Sequence, residues 1–233
     1  MKATLLCALL GLVVLTGCNN QGTDTAPTTP EATTETAQQN ATAPAQKQTT
    51  APAPGSTAPA SEANEVAIMR TTEGDMVFEF WPEVAPKTVA NFKKLAKEDF
   101  YNGTSFHRIV DGFMIQGGDF LSKDPANEAQ FGTGNPGFTV PAEFSDRKHV
   151  RGVLSMARLG HDINSASSQF FIVLAPAEFL DGSYTAFGKM IKGDDVLEKI
   201  AKTPVTFSRG ERSKPTKRIE IQSVEIVPRD QVQ

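Results

Sequence analysis

Residues 106–119 read FHRIVDGFMIQGGD, and this stretch decides the fold. Two β-rich runs, 105–110 and 113–117, are separated by a glycine, which indicates two adjacent strands. The stretch also places a cation, Arg108, beside an apolar cluster. In strand alternation, an arginine between Phe106 and Ile109 either pairs with an acid, faces a cleft or lies on the surface above a covered core. The residues alone leave these alternatives open.

The sequence on both sides of this stretch predicts further short strands and two helices. Helices are expected at 86–98, where Pro86 suits the first turn, and at 194–201, where acidic residues favour the helix start. Strands are expected at 66–72, 75–81, 105–110, 113–117, 153–157, 169–174, 185–191 and 218–227. Many short strands with turn residues between them indicate a mainly β fold, a barrel or a sandwich. The long loops at 119–152 and 158–168 have a length that is often functional.

Aromatic residues divide the chain into two parts. All 15 Phe, both Tyr and the single Trp follow residue 65. Residues 19–64 contain no Val, Ile, Leu, Met or aromatic residue, and they include 11 Thr, 11 Ala and 6 Pro. Such a segment cannot bury enough apolar surface to offset its ordering entropy. We therefore expect one domain, residues 65–229, behind a disordered tether, with a short tail at 230–233.

The first eighteen residues predict a lipoprotein signal. Lys2 provides a positive start, and residues 5–15 form an apolar run that is too short for a spanning helix of about 20 residues. The run ends in Leu15-Thr16-Gly17-Cys18, which resembles the bacterial lipobox. That resemblance implies removal of residues 1–17 and acylation of Cys18, which begins the segment 18–64. The alternative is an ordinary secretory signal with a chance cysteine.

The predicted location is the bacterial cell envelope. The lipid would hold the domain at the periplasmic face of the outer or inner membrane, or on the outer surface of the plasma membrane in a cell with one membrane. Asn19 permits export to the outer membrane in the lipoproteins that the signal resembles. As a flexible coil, residues 19–64 would span about 35–40 Å. We therefore expect contact with the membrane through the lipid anchor alone.

Composition and spacing argue against several other partner classes. Residues 65–233 carry 21 basic and 23 acidic side chains without a basic block, so nucleic acid is not an expected partner. Both cysteines, Cys7 and Cys18, precede the domain, which therefore has no disulfide and no thiolate metal site. The histidines at 107, 149 and 161 lack the spacing of a zinc site, and no metal or cofactor is expected.

Two further motifs resemble functional sites without their structural context. Residues 132–137, GTGNPG, match the dinucleotide pattern GxGxxG, but they contain proline and lead into FTVP rather than into a helix. A glycine loop is the better interpretation. His161-Asp162 and the serines that follow suggest a hydrolase, but the sequence contains no G-x-S-x-G elbow. We interpret this segment as a polar loop.

Residues 106–119 resemble the signature of the cyclophilins, the peptidyl-prolyl cis/trans isomerases. The resemblance continues in order through GVLSMA at 152–157, SASSQFFI at 165–172, FLDG at 179–182 and FGKM at 187–190. It covers essentially all of 65–229, and the Ala157-Arg158 form is similar to bacterial members. The family resemblance implies a closed eight-stranded antiparallel β-barrel capped by two α-helices, one at each end.

The resemblance also implies roles for individual residues. Arg108 is the expected catalytic cation. The expected proline pocket is formed by Phe113, Met114, Phe171 and Leu180, with Gln116, Ala157, Phe179 and Tyr184 around it. Arg158 stands where other members often have Asn, but the family holds the peptide through the backbone at that position. His107 points to the opposite face from Arg108 in strand alternation, and we expect it to be structural.

Two departures from the family pattern affect ligand binding. Phe179 stands where cyclosporin-sensitive members carry Trp, and the missing indole N–H implies weak cyclosporin binding. Tyr184 replaces a His of many eukaryotic members but keeps an aromatic ring with a polar tip, so turnover should survive.

The sequence therefore predicts an isomerase for X-Pro bonds in exported, unfolded polypeptides near a membrane. A membrane-tethered chaperone or peptide-binding module with incidental isomerase activity is the alternative. The intact set of Arg108, Phe113, Gln116 and Phe171 favours the isomerase. A closed barrel has no free sheet edges to promote association, so a monomer is expected.

Overall fold

The computed structural model describes residues 64–232, so the predicted signal, Cys18 and residues 18–63 of the tether lie outside the described residues. The two α-helices are α1 (Pro86–Lys97) and α2 (Asp194–Ala201). The strands are β1 (Glu65–Thr71), β2 (Gly74–Phe80), β3 (Thr104–Ser105), β4 (Arg108–Val110), β5 (Met114–Gly117), β6 (Val153–Met156), β7 (Phe170–Val173), β8 (Ala186–Lys192), β9 (Val205–Ser208), β10 (Glu211–Pro215) and β11 (Glu220–Pro228). Short 3₁₀ turns lie at Phe120–Lys123, Pro125–Gln130, Glu178–Leu180 and Arg229–Gln231. Within residues 64–232, no helix has the length and apolar character needed to cross a bilayer.

Nine strands form one antiparallel sheet in the order β3-β11-β1-β2-β8-β6-β7-β5-β4. The two outermost strands, β3 and β4, are neighbours in the chain and are separated only by Phe106 and His107. The backbone N–H of Phe106 donates to the carbonyl of Ile219 at 3.0 Å, and that of His107 donates to Gln116 in β5 at 3.1 Å. The continuous segment 104–110 pairs with β11 at one edge of the sheet and with β5 at the other. The sheet therefore curls into a half-barrel.

This sheet contains nine strands, whereas the resemblance implies eight. The expected strand at 105–110 is divided, because the chain changes its hydrogen-bonding partner from the β11 side to β5 at Phe106 and His107. The other seven predicted strands and both predicted helices are present, with bounds that differ by at most two residues.

The sequence prediction missed a separate hairpin formed by β9 and β10. Arg209 and Gly210 join the two strands with positive φ angles of 51° and 85°, the backbone that a tight two-residue hairpin turn requires. The residues of β9 are all partly or fully exposed, and Phe207 is 70% exposed. The hairpin therefore shows no pattern of buried and exposed residues from which a strand could be predicted.

Strand alternation separates two apolar clusters on opposite faces of the sheet. In β5, Ile115 belongs to the main core and Met114 to the second cluster; in β7, Phe170 belongs to the main core and Phe171 to the second cluster. Phe92 of α1 lies at the centre of the main core, where its ring centroid is 4.9–5.8 Å from those of Phe80, Tyr101, Phe170 and Phe187. The second cluster is the part of the fold that builds the candidate site.

Candidate active site

Pairing between strands places the predicted site residues in a row across the sheet. Arg108 of β4 lies opposite Gln116 of β5, Gln116 lies opposite Phe171 of β7, and Phe171 lies opposite Ser155 of β6. Residues that lie directly opposite each other in antiparallel strands share a face. The row therefore puts the cation, its amide neighbour and an aromatic side chain on one face.

The second cluster lies beside this row, and its solvent-facing side, named here the apolar depression, is where the proline pocket is predicted. Met114, Phe171 and Leu180 are buried in it, and Phe113, Ala157 and Tyr184 pack against it while remaining partly exposed. Phe179 is 72% exposed, and its ring lies 5.4 Å from that of Phe113. All eight predicted substrate-binding residues are thus brought to one region next to Arg108. Their roles in substrate binding stay predictions.

The guanidinium of Arg108 is hydrogen-bonded on two sides. Its Nε and Nη2 donate to the carboxylate of Glu211 in β10, each at 2.8 Å. Its Nη1 donates to Gln116 Oε1 at 3.3 Å and lies 3.7 Å from Met114 Sδ. Arg108 therefore both pairs with an acid and borders the apolar depression. The hydrogen bonds from Arg108 lower the pKa of Glu211 below its ordinary value.

Sequence reasoning missed Glu211. It is 103 residues from Arg108 in the chain and belongs to the hairpin that was not predicted. A partly buried arginine is expected to pair with an acidic side chain, but the sequence does not indicate which one.

A chain of amides connects Arg108 to the glycine loop at 132–137. Gln116 Nε2 donates to Gln169 Oε1 at 3.0 Å, and Gln169 Nε2 donates to the carbonyl of Gly134 at 2.9 Å. The buried carboxylate of Asp119 accepts the backbone N–H groups of Leu121 and Gly132 and so holds the loop. A Cβ at position 134 would clash with that carboxylate. The GxGxxG pattern therefore has a packing explanation.

A second hydrogen-bonded group, formed by Asp181, His149 and Ser155, packs against Phe171 of the apolar depression. Asp181 accepts the backbone N–H of His149 at 2.9 Å and contacts its Nδ1 at 3.0 Å, while His149 Nε2 lies 3.0 Å from Ser155 Oγ. The His149 ring stacks on Phe171 at 6.2 Å. The arrangement resembles a Ser-His-Asp triad, but Ser155 is fully buried and its hydroxyl donates to the carbonyl of Thr185. A substrate therefore cannot reach this serine.

The same contacts set two pKa values. Hydrogen bonds from the His149 backbone and ring lower the pKa of Asp181 to about 2. Burial lowers the pKa of His149, and its hydrogen bond to Asp181 opposes this effect. Asp181 is therefore a carboxylate at neutral pH.

A cavity of about 680 Å³ adjoins Arg108 on the side of the β9–β10 hairpin. Its walls include Arg108, Gln116, Glu128, Phe131, Arg209 and Glu211. His107 also lines it, and burial lowers the pKa of this histidine to about 4. Among residues 64–232, no three His, Cys, Asp or Glu side chains come together as a group that could hold a metal ion.

Fold and site together define a mainly β protein that presents an arginine beside a cluster of apolar and aromatic side chains. A family model described as "Cyclophilin type peptidyl-prolyl cis-trans isomerase/CLD" matches residues 66–226. The chain is 44% identical over 150 residues to a "Probable peptidyl-prolyl cis-trans isomerase" of Brucella abortus, which covers 63% of this chain and 76% of the relative. A relative from Synechococcus elongatus, a "Peptidyl-prolyl cis-trans isomerase", is 45% identical over 134 residues, 58% of this chain and 85% of the relative.

Solved structures agree with the family match. The chain is similar to a cyclophilin-type isomerase of Cryptosporidium parvum, solved in the presence of the dipeptide Ala-Pro, with a TM-score of 0.61 and 32% identity. The match covers 70% of this chain and 98% of that one. A cyclophilin from Hirschia baltica matches with a TM-score of 0.56 and 27% identity, over 70% of this chain and 74% of its own. This chain belongs to the cyclophilin-type peptidyl-prolyl cis-trans isomerases.

Proposed function

We propose that the chain accelerates X-Pro isomerisation in exported, unfolded polypeptides, with Arg108 as the catalytic residue. One observation carries the proposal. The Nη1 edge of the Arg108 guanidinium lies at the border of the apolar depression, 3.7 Å from Met114 Sδ. A proline ring held in that depression would have its imide nitrogen next to a permanent cation.

The chemistry of the X-Pro bond explains why these residue types suffice. The bond rotates over a barrier of about 18–20 kcal/mol, so isomerisation takes tens to hundreds of seconds without a catalyst. The barrier is the loss of amide resonance, and in the twisted state the proline nitrogen becomes pyramidal and basic. A guanidinium, which does not deprotonate, donates most strongly to that nitrogen in the twisted state. Such differential binding of the transition state accelerates rotation.

The apolar residues hold the ring while the preceding carbonyl rotates. Met114, Phe171 and Leu180 provide buried apolar surface, and Phe113 and Tyr184 provide aromatic walls that remain open to solvent. Gln116 bonds to Arg108 and so helps to fix the distance between the cation and the ring. The related C. parvum isomerase, solved in the presence of Ala-Pro, supports a small X-Pro unit as the recognised group.

The test is peptide isomerisation by the full chain and by its Arg108→Ala variant. We expect the variant to lose kcat/KM by about 100-fold, the usual effect of removing one transition-state donor, while its thermal unfolding stays close to that of the wild type. Full activity in the variant would overturn the role of Arg108. An inactive wild type that still binds unfolded chains would favour a chaperone or peptide-binding module instead.

We also propose a closed barrel, a monomeric state and a location in the cell envelope. The sheet is a closed eight-stranded barrel with α1 and α2 at its ends when β3 and β4 are counted as one strand. The division of β3 and β4 by only two residues supports this count. A closed sheet supports a monomer. The lipobox-like segment ending at Cys18 supports an envelope location and a membrane contact through lipid alone.

A further inference from the structure

The two edges of the Arg108 guanidinium face different parts of the molecule. The edge formed by Nε and Nη2 meets the carboxylate of Glu211, with both distances at 2.8 Å. The Nη1 end faces Gln116 Oε1 and Met114 Sδ, at 3.3 and 3.7 Å. The side of the cation away from the apolar depression is therefore held by an acid, and the side toward it is left for a substrate.

We propose that Glu211 is a positioning residue for isomerisation, which holds Arg108 so that Nη1 points to the bound proline; this inference rests on the proposed role of Arg108. A guanidinium has five N–H donors in one plane. A bidentate carboxylate fixes both the place and the orientation of that plane. Glu211 uses two donors and leaves Nη1, which contacts Gln116 and Met114, on the substrate side.

The hairpin that carries Glu211 is itself held in place. Arg209, at its turn, donates from Nη1 to the carbonyl of Phe131 at 2.6 Å and from Nη2 to that of Ala129 at 2.7 Å. Lys214 of β10 forms an ion pair with Glu128. These contacts tie the turn of the hairpin and β10 to the segment 128–131. Glu211 therefore contacts Arg108 from a hairpin that other contacts hold in place.

Arg108 and Glu211 are partly exposed to solvent, so a positioning role of Glu211 can be distinguished from a role in folding. The side chains of Arg108 and Glu211 are 34% and 39% exposed, and ion pairs in such positions contribute little to stability because water screens them. Removing Glu211 should therefore leave the fold intact. The effect should be found in the rate, because a small displacement of a catalytic group lowers turnover strongly.

The experiment compares Glu211→Ala and Glu211→Gln in the full chain, with an Ala-Pro peptide as substrate and NMR exchange as the assay. We expect Glu211→Ala to lower kcat about 10-fold and to change KM by less than about 2-fold, because the apolar depression still holds the ring. Glu211→Gln keeps an acceptor without the charge, and it should lose less. Thermal unfolding of both variants should match the wild type.

A double-mutant cycle with Arg108→Ala distinguishes positioning from a general structural effect. If Glu211 acts only through Arg108, the Glu211→Ala change should have no further effect on the rate once the guanidinium is gone. A structural role would lower the residual rate by the same factor in both backgrounds. The assay is run at an enzyme concentration that keeps the Arg108→Ala rate above the uncatalysed rate.

The matched control is Glu225→Gln, which breaks the ion pair between Glu225 and Arg70, a pair of similar exposure with no contact to Arg108 or to the hairpin. We expect its kcat to equal that of the wild type. The positioning role is overturned by an unchanged or raised kcat in Glu211→Ala, or by independent effects in the cycle. An inactive wild type or a fully active Arg108→Ala would instead overturn the proposed function.

Discussion

His107 is a partly buried histidine whose ring nitrogens are buried and have no partner in hydrogen-bond geometry. Burial lowers its pKa to about 4, against the opposing influence of the Asp119 charge and the Ser105 carbonyl. The unfolded chain therefore binds a proton at this site near pH 6.5, whereas the folded chain does not until about pH 4. The stability that this difference supplies is complete above pH 6.5 and is lost as the pH falls toward 4.

The variant His107→Phe tests this argument, because phenylalanine keeps a ring but cannot titrate. We expect its free energy of unfolding to fall less than that of the wild type between pH 6.5 and 4, by up to about 3 kcal/mol. At pH 7 the two should agree within about 1 kcal/mol, since no hydrogen bond is lost. Urea denaturation across the pH range measures this. The exposed His161→Gln is the control, and a His107→Phe curve parallel to that of the wild type would contradict the prediction.

Phe179 provides a second prediction about a single side chain. Its ring is 72% exposed beside Phe113, so a tryptophan can replace it without repacking the core. The indole N–H adds one donor, and a hydrogen bond contributes about 1 kcal/mol net. Phe179→Trp should therefore bind cyclosporin about 5- to 10-fold more tightly than the wild type in a calorimetric titration. Phe207→Trp, equally exposed on the hairpin, is the control, and equal affinities in all three proteins would show that the donor is not what limits binding.

At the scale of elements, the sequence predicts what alternation and turn residues encode. Both helices and seven strands were predicted within two residues, because each buries a regular apolar face. The division between β3 and β4 could not be predicted, since it arises where the chain changes hydrogen-bonding partners and not from its own side chains. The β9–β10 hairpin could not be predicted either, because it is held by its turn and by contacts of Arg209 and Lys214.

The residues of the candidate site also divide into those that the sequence predicts and those that it does not. The apolar depression follows from motifs that lie on β5, on β7 and in the turn before Leu180, and the predicted residues there do come together. The partners of these residues come from loops, as with Gln169 and Gly134, or from the unpredicted hairpin, as with Glu211. The residues of the depression and Gln116 were therefore predictable, while Glu211, the other partner of Arg108, was not.

At the scale of the whole molecule, the site depends on the order of the strands and not on any one segment. Strand β5 pairs with the strands of both Arg108 and Phe171, whereas Glu211 reaches Arg108 from the separate β9–β10 hairpin. Contacts of this kind are non-local, and each carries a loop-closure cost that must be offset by the packed core. The geometry of the candidate site is therefore a property of the complete domain.

We propose that the position of the domain in the cell depends on Cys18, the residue that ends the lipobox-like segment. Each buried CH₂ of an acyl chain contributes about 0.8 kcal/mol, so two or more chains anchor a protein stably where one does not. Cys18→Ser cannot be acylated, and we expect it to move the protein from the membrane fraction to the soluble fraction without changing kcat/KM on a peptide. Cys7→Ser, in the apolar run of the signal, is the matched control and should remain with the membranes. If Cys18→Ser still sediments with membranes after a high-salt wash, another part of the chain provides the attachment and the lipid assignment is wrong.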